Sequence, residues 1–257
     1  AAFFLVPRLS VMWQQPAHEI VALLRAGRVS PRALVDVCEQ RIAEVNPSIN
    51  AVVTTCFERA REQCGRFTVP ETPPPGFLFG LPVLLKDAGQ EAAGVRQTDG
   101  FSPFDHVPTE SSALVARLEE MGGIVIGKTN SPELAAGSHT FNEVFGTTFN
   151  PRDLRRTAGG STGGGAAASA AGLCWACLGS DLGGSLRIPA AFCGGVGIRP
   201  SPGRVPRDPG GAAVADGIHG VHGPLGRCVE DVALLLTTLQ CRGEDGWGAD
   251  ALAAVDF

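Results

Sequence analysis

Residues 157–206 read TAGGSTGGGAAASAAGLCWACLGSDLGGSLRIPAAFCGGVGIRPSPGRVP, and the rest of the chain is understood outward from them. The stretch holds two glycine-rich turns with a serine in each. The first, Gly159-Gly160-Ser161-Thr162-Gly163-Gly164, opens an alanine-rich segment with the composition of a helix. The second, Asp181-Leu182-Gly183-Gly184-Ser185, follows GLCWACLG, an apolar run expected to be a strand. Glycine leaves backbone N–H groups unscreened by a Cβ, as a site that stabilises a developing oxyanion requires. Two hydroxyls and a set of bare amides are thus expected to meet.

A serine nucleophile needs a base, and neither turn contains a histidine, so a Ser-His-Asp arrangement has no local support. Upstream, residues 78–87 (LFGLPVLLKD) form an apolar strand that delivers Lys86 and Asp87 at its C-terminal end, where α/β folds bind ligands. A lysine acts as a base near neutral pH only where burial or neighbouring positive charge lowers its pKa. Taken singly, each candidate also has a plain structural role. Ser161 and Thr162 suit the cap of the alanine-rich helix, Ser185 the cap of a helix starting near Leu186, and Lys86 an ion pair with Asp87.

Several tempting motifs fail on physical grounds. Residues 122–129, GGIVIGKT, match the phosphate-loop pattern GxxxxGK[ST], but their variable positions are β-branched and must themselves be strand. Pro132 also stops a helix from following, which leaves Lys128 as a structural partner at the strand end. Cys174 and Cys177 sit at an offset that puts strand side chains on opposite faces, so the pair reads as core, not as a redox motif. His219 and His222 have no third ligand nearby in sequence and make a weak zinc signal.

The remaining pattern alternates helices and strands. Apolar spacing predicts a helix from Ala17 to Gly27 and a second from Ser30, with Pro31 at its first position, ending at Asn46-Pro47. A strand over 49–55, a helix over 57–67 and a stiff Pro-rich loop over 70–76 come next. Later come a helix over 111–121, a strand over 124–126, a helix-to-loop segment over 133–145, a Gly- and His-containing turn after residue 206, and a helix over 229–239. Residues 1–11 have no clear period and are expected to be leader, tag or read-through, with the domain proper at 12–257.

With 257 residues, 44% hydrophobic and 18% charged, the composition is that of a folded globular chain. A net charge of −5 with no long basic run argues against nucleic acid or an anionic membrane surface as partner. No apolar run reaches the ~18 residues of a membrane span. Eight scattered cysteines in a chain of this size suit a reduced, cytoplasmic protein.

The motifs GLPVLLKD, GKTNSPELAAGS, GGSTGGGAAA and GSDLGGSLRIPAAFCGGVGIRPSPGRVP, in this order and spacing, resemble the amidase signature family over residues 16–239. The resemblance implies an α/β fold, a mixed β-sheet flanked by helices on both faces. It implies Ser185 as nucleophile, Ser161, behind a cis peptide, as the bridging serine, and Lys86 as base. The N–H groups of Leu182, Gly183, Gly184 and Ser185 become the oxyanion hole, and Thr162, Asp181 and Arg187 support the site, the last two as a buried ion pair. Thr162 stands where the family commonly has serine, which keeps a hydroxyl and adds a methyl. No cofactor or metal is implied. The reaction implied is hydrolysis of a carboxylic amide to acid and amine or ammonia, on substrates that the family varies from simple, aryl and fatty amides to those of the glutaminase component of a transamidation complex. Family members are nearly twice this length, and the part that completes the sheet and walls the acyl pocket is expected to be missing. The alternative expectation is a catalytically silent fragment or binding subunit that needs a second chain; a homodimer is the other partner expected.

Overall fold

In the computed structural model, which describes residues 9–207 and 220–240, a 3-10 turn (Leu9–Gln14) precedes α1 (Ala17–Arg25), α2 (Pro31–Ile49), β1 (Val52–Thr55), α3 (Phe57–Arg66) and β2 (Pro82–Lys86). Then come α4 (Ala113–Glu120), β3 (Ile124–Thr129), β4 (Phe141–Asn142), β5 (Gly146–Thr147), β6 (Phe149–Asn150) and β7 (Asp153–Thr157). α5 (Gly163–Ala170), β8 (Ala176–Asp181), α6 (Arg187–Cys193), β9 (Val196–Gly197), β10 (Val221–Gly226) and α7 (Val229–Leu239) follow.

Two runs, PVLLK and IVIGKT, are buried at every position, the mark of strands covered on both faces. They pair in parallel as β2 and β3, and β2 pairs in parallel with β8 on its other side. The six-stranded mixed sheet has the order β1-β3-β2-β8-β10-β9, with β1, β10 and β9 antiparallel to their neighbours. The chain therefore leaves β2 toward β3 on one side and reaches β8 on the other. Such a switch of direction opens a crevice at the C-terminal ends of the parallel strands. The sheet is flanked by helices. The small residues of α5, all Gly, Ala or Ser, let that helix lie buried close against β2, β3, β8 and β10, while α7 packs on β9 and β10, α4 on β3 and α1 on α7.

The structure revises several boundaries. α2 runs on through Pro47 to Ile49, because Asn50 takes the left-handed conformation (φ 49°) and its N–H reaches the Asn46 carbonyl. β1 accordingly starts at Val52. Residues 133–145 hold only a 3-10 turn (Glu133–Ala135) and the start of a hairpin, with no α-helix. Cys174 precedes β8 and donates to the Pro82 carbonyl, so only Cys177 lies in the strand; both are buried. Gly127, Lys128 and Thr129 are in β3 itself, which removes the phosphate-loop geometry. β10 lies where a turn was expected, and the β6–β7 hairpin also went unread. The seven described cysteines are free. Residues 1–8, which contain most of the expected leader, and His219 of the histidine pair lie outside the described residues. Among the described residues no helix is long and apolar enough to cross a membrane.

Candidate active site

The parallel strands bring three C-terminal ends together: Lys86 on β2, Thr129 on β3 and Ser180-Asp181 on β8. Lys86 is fully buried. Its Nζ donates to Ser161 Oγ at 2.7 Å and to Ser180 Oγ at 3.0 Å. Asp87, the partner expected for Lys86, accepts from the Thr98 hydroxyl at 2.5 Å and from its N–H at 3.1 Å. Gln90 fixes the lysine from behind: its Oε1 accepts from Lys86 N–H at 2.8 Å and its Nε2 donates to the Gly179 carbonyl at 2.9 Å.

Ser161 follows the one cis peptide bond among the described residues, Gly160–Ser161. Its loop is held by Thr140, whose hydroxyl donates to the Gly159 carbonyl at 2.8 Å and accepts from Gly163 N–H at 3.2 Å. The N–H of Thr162 donates to the Ser185 carbonyl at 3.1 Å, which seats one glycine turn against the other. Neither Thr162 nor Ser185 caps a helix with its side chain. The Thr162 hydroxyl donates to the Ser180 carbonyl at 3.3 Å. Its methyl lies over Gly179, where a Cβ would stand 2.3 Å away, so the glycine makes the room that the extra methyl needs.

Ser185 is half-buried, in contrast to Ser161 and Lys86. The turn that carries it is shaped by Asp181, itself buried, whose Oδ1 accepts from Gly184 N–H at 2.8 Å and whose Oδ2 accepts from Leu186 N–H at 3.1 Å. Arg187 clasps the same carboxylate with two bonds of 3.0 Å, and Arg199 lies 3.7 Å from it. Burial would push the Asp181 carboxyl up, but the Arg187 guanidinium and the three N–H donors outweigh it and hold the group below the usual carboxylate range. The pair is buried on one side only, since the Arg187 side chain is 53% exposed. Gly184 has φ +118°, a conformation that favours glycine, and this aims its N–H at Asp181. The Gly184 N–H, expected in the oxyanion hole, is thus bonded to the Asp181 carboxylate in this structure. The N–H groups of Leu182, Gly183 and Ser185 meet no acceptor among the described residues.

Ser180, Gln90 and Arg199 escaped the sequence reading. Ser180 carried a usable signal, standing directly before Asp181 at a strand end. A lone glutamine in a loop carried none.

The chain is similar in sequence and fold to known proteins. The family model described as Amidase matches residues 33–253. The chain is 39% identical over 238 residues to one subunit of the glutamyl-tRNA(Gln) amidotransferase of Maridesulfovibrio salexigens, a match covering 90% of this chain and 47% of that protein. Among solved structures, 6-aminohexanoate cyclic dimer hydrolase superposes with a TM-score of 0.83 at 33% identity, covering 90% of this chain and 48% of that one. The native peptide amidase from Stenotrophomonas maltophilia superposes with a TM-score of 0.81 at 29% identity, over 97% of this chain and 53% of that one. The chain thus spans about half the length of the relatives it matches. On the family match, together with the shared mixed sheet, the chain belongs to the amidase signature family.

Proposed function

We propose that the protein hydrolyses a carboxylic amide through an acyl-enzyme on Ser185. The observation that carries this is the 2.7 Å contact between the buried Lys86 Nζ and Ser161 Oγ, on a loop whose next N–H is bonded to the backbone of Ser185. Neutral Lys86 takes the proton of Ser161 Oγ, which takes that of Ser185 Oγ as this oxygen bonds to the amide carbon. The N–H groups of Leu182, Gly183 and Ser185 receive the oxyanion. When the C–N bond breaks, the relay returns the proton to the departing amine, and water repeats the cycle to release the acid and restore Ser185. Half-burial of Ser185 admits a substrate to the nucleophile, whereas its proton acceptors stay out of bulk water. The named relatives include a hydrolase of a 6-aminohexanoate cyclic dimer and a peptide amidase, and a carboxylic amide is the chemistry these have in common. We propose a cytoplasmic location on the scattered cysteines, the seven described of which are free.

A second reading, that a further chain completes the site, is favoured by the exposure of Leu134, Phe141, Phe149, Leu154 and Leu182 on hairpins and turns and of Phe192 on α6. A relative that is named as one subunit of an amidotransferase supports the same idea. One experiment separates the two. The chain is incubated with a fluorophosphonate and its intact mass measured, beside Ser185→Ala and Lys86→Met. Labelling abolished by the first substitution and slowed by at least ~10²-fold by the second is the expected result. A folded chain that takes no label sinks the proposal of independent activity and leaves the partner reading standing.

A further inference from the structure

Where α1 meets the start of α7, a second group of reactive side chains comes together on elements that carry none of the proposed catalytic residues. His18 lies in the first turn of α1, Cys228 directly precedes α7, and Asp231 lies in the first turn of α7. One donor atom from each lies within 4.8 Å of the others. His18 Nδ1 is 3.0 Å from Asp231 Oδ1 and 3.8 Å from Cys228 Sγ.

Asp231 is the informative member. It is completely buried, and its Oδ1 accepts the backbone N–H of His18 at 3.0 Å, but its Oδ2 has no hydrogen-bond partner among the described residues. The neighbouring cation does not serve it, because Arg227 directs its terminal nitrogens to the carbonyls of Trp13 and Gln15. A buried carboxylate oxygen without a donor is rare in native proteins, and a bound ion is one of the partners that account for it.

We propose that His18, Cys228 and Asp231 form a zinc site that clasps α1 to the start of α7. Around a tetrahedral zinc, with S at about 2.3 Å and N or O at about 2.0–2.2 Å, adjacent donors stand roughly 3.3–3.6 Å apart. With Asp231 Oδ1 as the oxygen donor, the contacts of 3.0 and 3.8 Å come within a few tenths of an ångström of this, and the third pair, Cys228 with Asp231, lies within 4.8 Å. A thiolate, an imidazole and a carboxylate together suit borderline-soft zinc and not the all-oxygen cages of calcium or magnesium. As the Zn–S bond forms, the Cys228 thiol gives its proton to solvent, and thiolate plus carboxylate then balance the dication. His18, 38% exposed, leaves a side open for entry of the ion and for water as fourth ligand.

The test is a titration of the metal-stripped 257-residue chain with Co²⁺. The expected result is one Co²⁺ per chain, a thiolate-to-cobalt charge-transfer band, and loss of that band when Zn²⁺ displaces the cobalt. Cys228 makes no side-chain cap bond and serine is a favoured N-cap residue, so Cys228→Ser retains the fold and loses the band. His18→Gln weakens Co²⁺ binding by at least about tenfold, the lower end of what losing even an outer-shell partner costs. Zn²⁺ raises the melting temperature of the wild type but not of Cys228→Ser. A wild-type chain that melts cooperatively yet shows no charge-transfer band overturns the proposal, and so does a band that survives Cys228→Ser. Either result makes the cluster a hydrogen-bonded helix cap only.

Discussion

Lys86 and Lys128 lie at or next to the ends of neighbouring parallel strands, and both are fully buried, yet their surroundings differ. Lys86 meets the hydroxyls of Ser161 and Ser180, whereas Lys128 donates to Gln97 Oε1 at 2.5 Å and to the Gln90 carbonyl. Burial pushes the Lys128 ammonium down to about 8 from 10.5, against the pull of Asp87 and Asp99. Between those two values the unfolded chain holds a proton there that the folded chain has released, so the contribution of Lys128 to stability must rise with pH across that window and be flat below it. The whole rise is roughly 3 kcal/mol. Urea unfolding of the wild type and of Lys128→Met at both ends of the window checks this: the wild type should gain on the variant by about that amount, and an unchanged difference would refute it. Sequence placed both lysines at strand ends, Lys86 as a candidate base and Lys128 as a structural partner. What each would touch was not legible. The partners of Lys128 sit 31 and 38 positions away, in a loop with no periodic signal.

At the scale of elements, the corner from α2 into β1 shows how one side chain can override a strong local rule. Proline normally ends a helix at the residue before it, and on that rule α2 stops at Asn46-Pro47. Here Asn46 Oδ1 accepts from the N–H groups of Ala51 and Val52, each at 2.8 Å, and its Nδ2 donates to the Val52 carbonyl at 2.8 Å. The asparagine thus pins the outgoing strand to the last turn, and the helix runs on until Asn50 reverses the backbone. Asn46→Ala strands these groups and should cost about 1–3 kcal/mol in urea unfolding, while labelling of Ser185 in the folded variant stays unchanged. A stability loss too small to resolve would show that water replaces the side chain. β10 escaped prediction for a related reason: VHGPLG contains two glycines and a proline, which local propensity assigns to a turn. Its pairing with β8 from Val221 to Leu225 makes it strand all the same.

For the molecule as a whole, helices, strands and the two glycine turns could be read from the chain, and so could the serines and lysine that the fold brings together. Strand order could not, since it depends on pairings between segments far apart. β2 finds β3 after about one helix of chain but reaches β8 only across both hairpins and α5. The contacts of Lys86 with Ser161 and Ser180 therefore close loops of 75 and 94 residues. Such closures are entropically costly and come late, after local structure has formed. During refolding from denaturant, competence for fluorophosphonate labelling should then never precede burial of Trp175, which stands at the entrance of β8 and reports its docking by fluorescence. Label uptake before that change would contradict the order. On the mechanism proposed for Ser185, the parallel pairing of β2 with β8 acts in this respect as a safeguard in time: a nascent or half-folded chain already possesses its serines, but they stay inert until the fold that disciplines them is nearly complete.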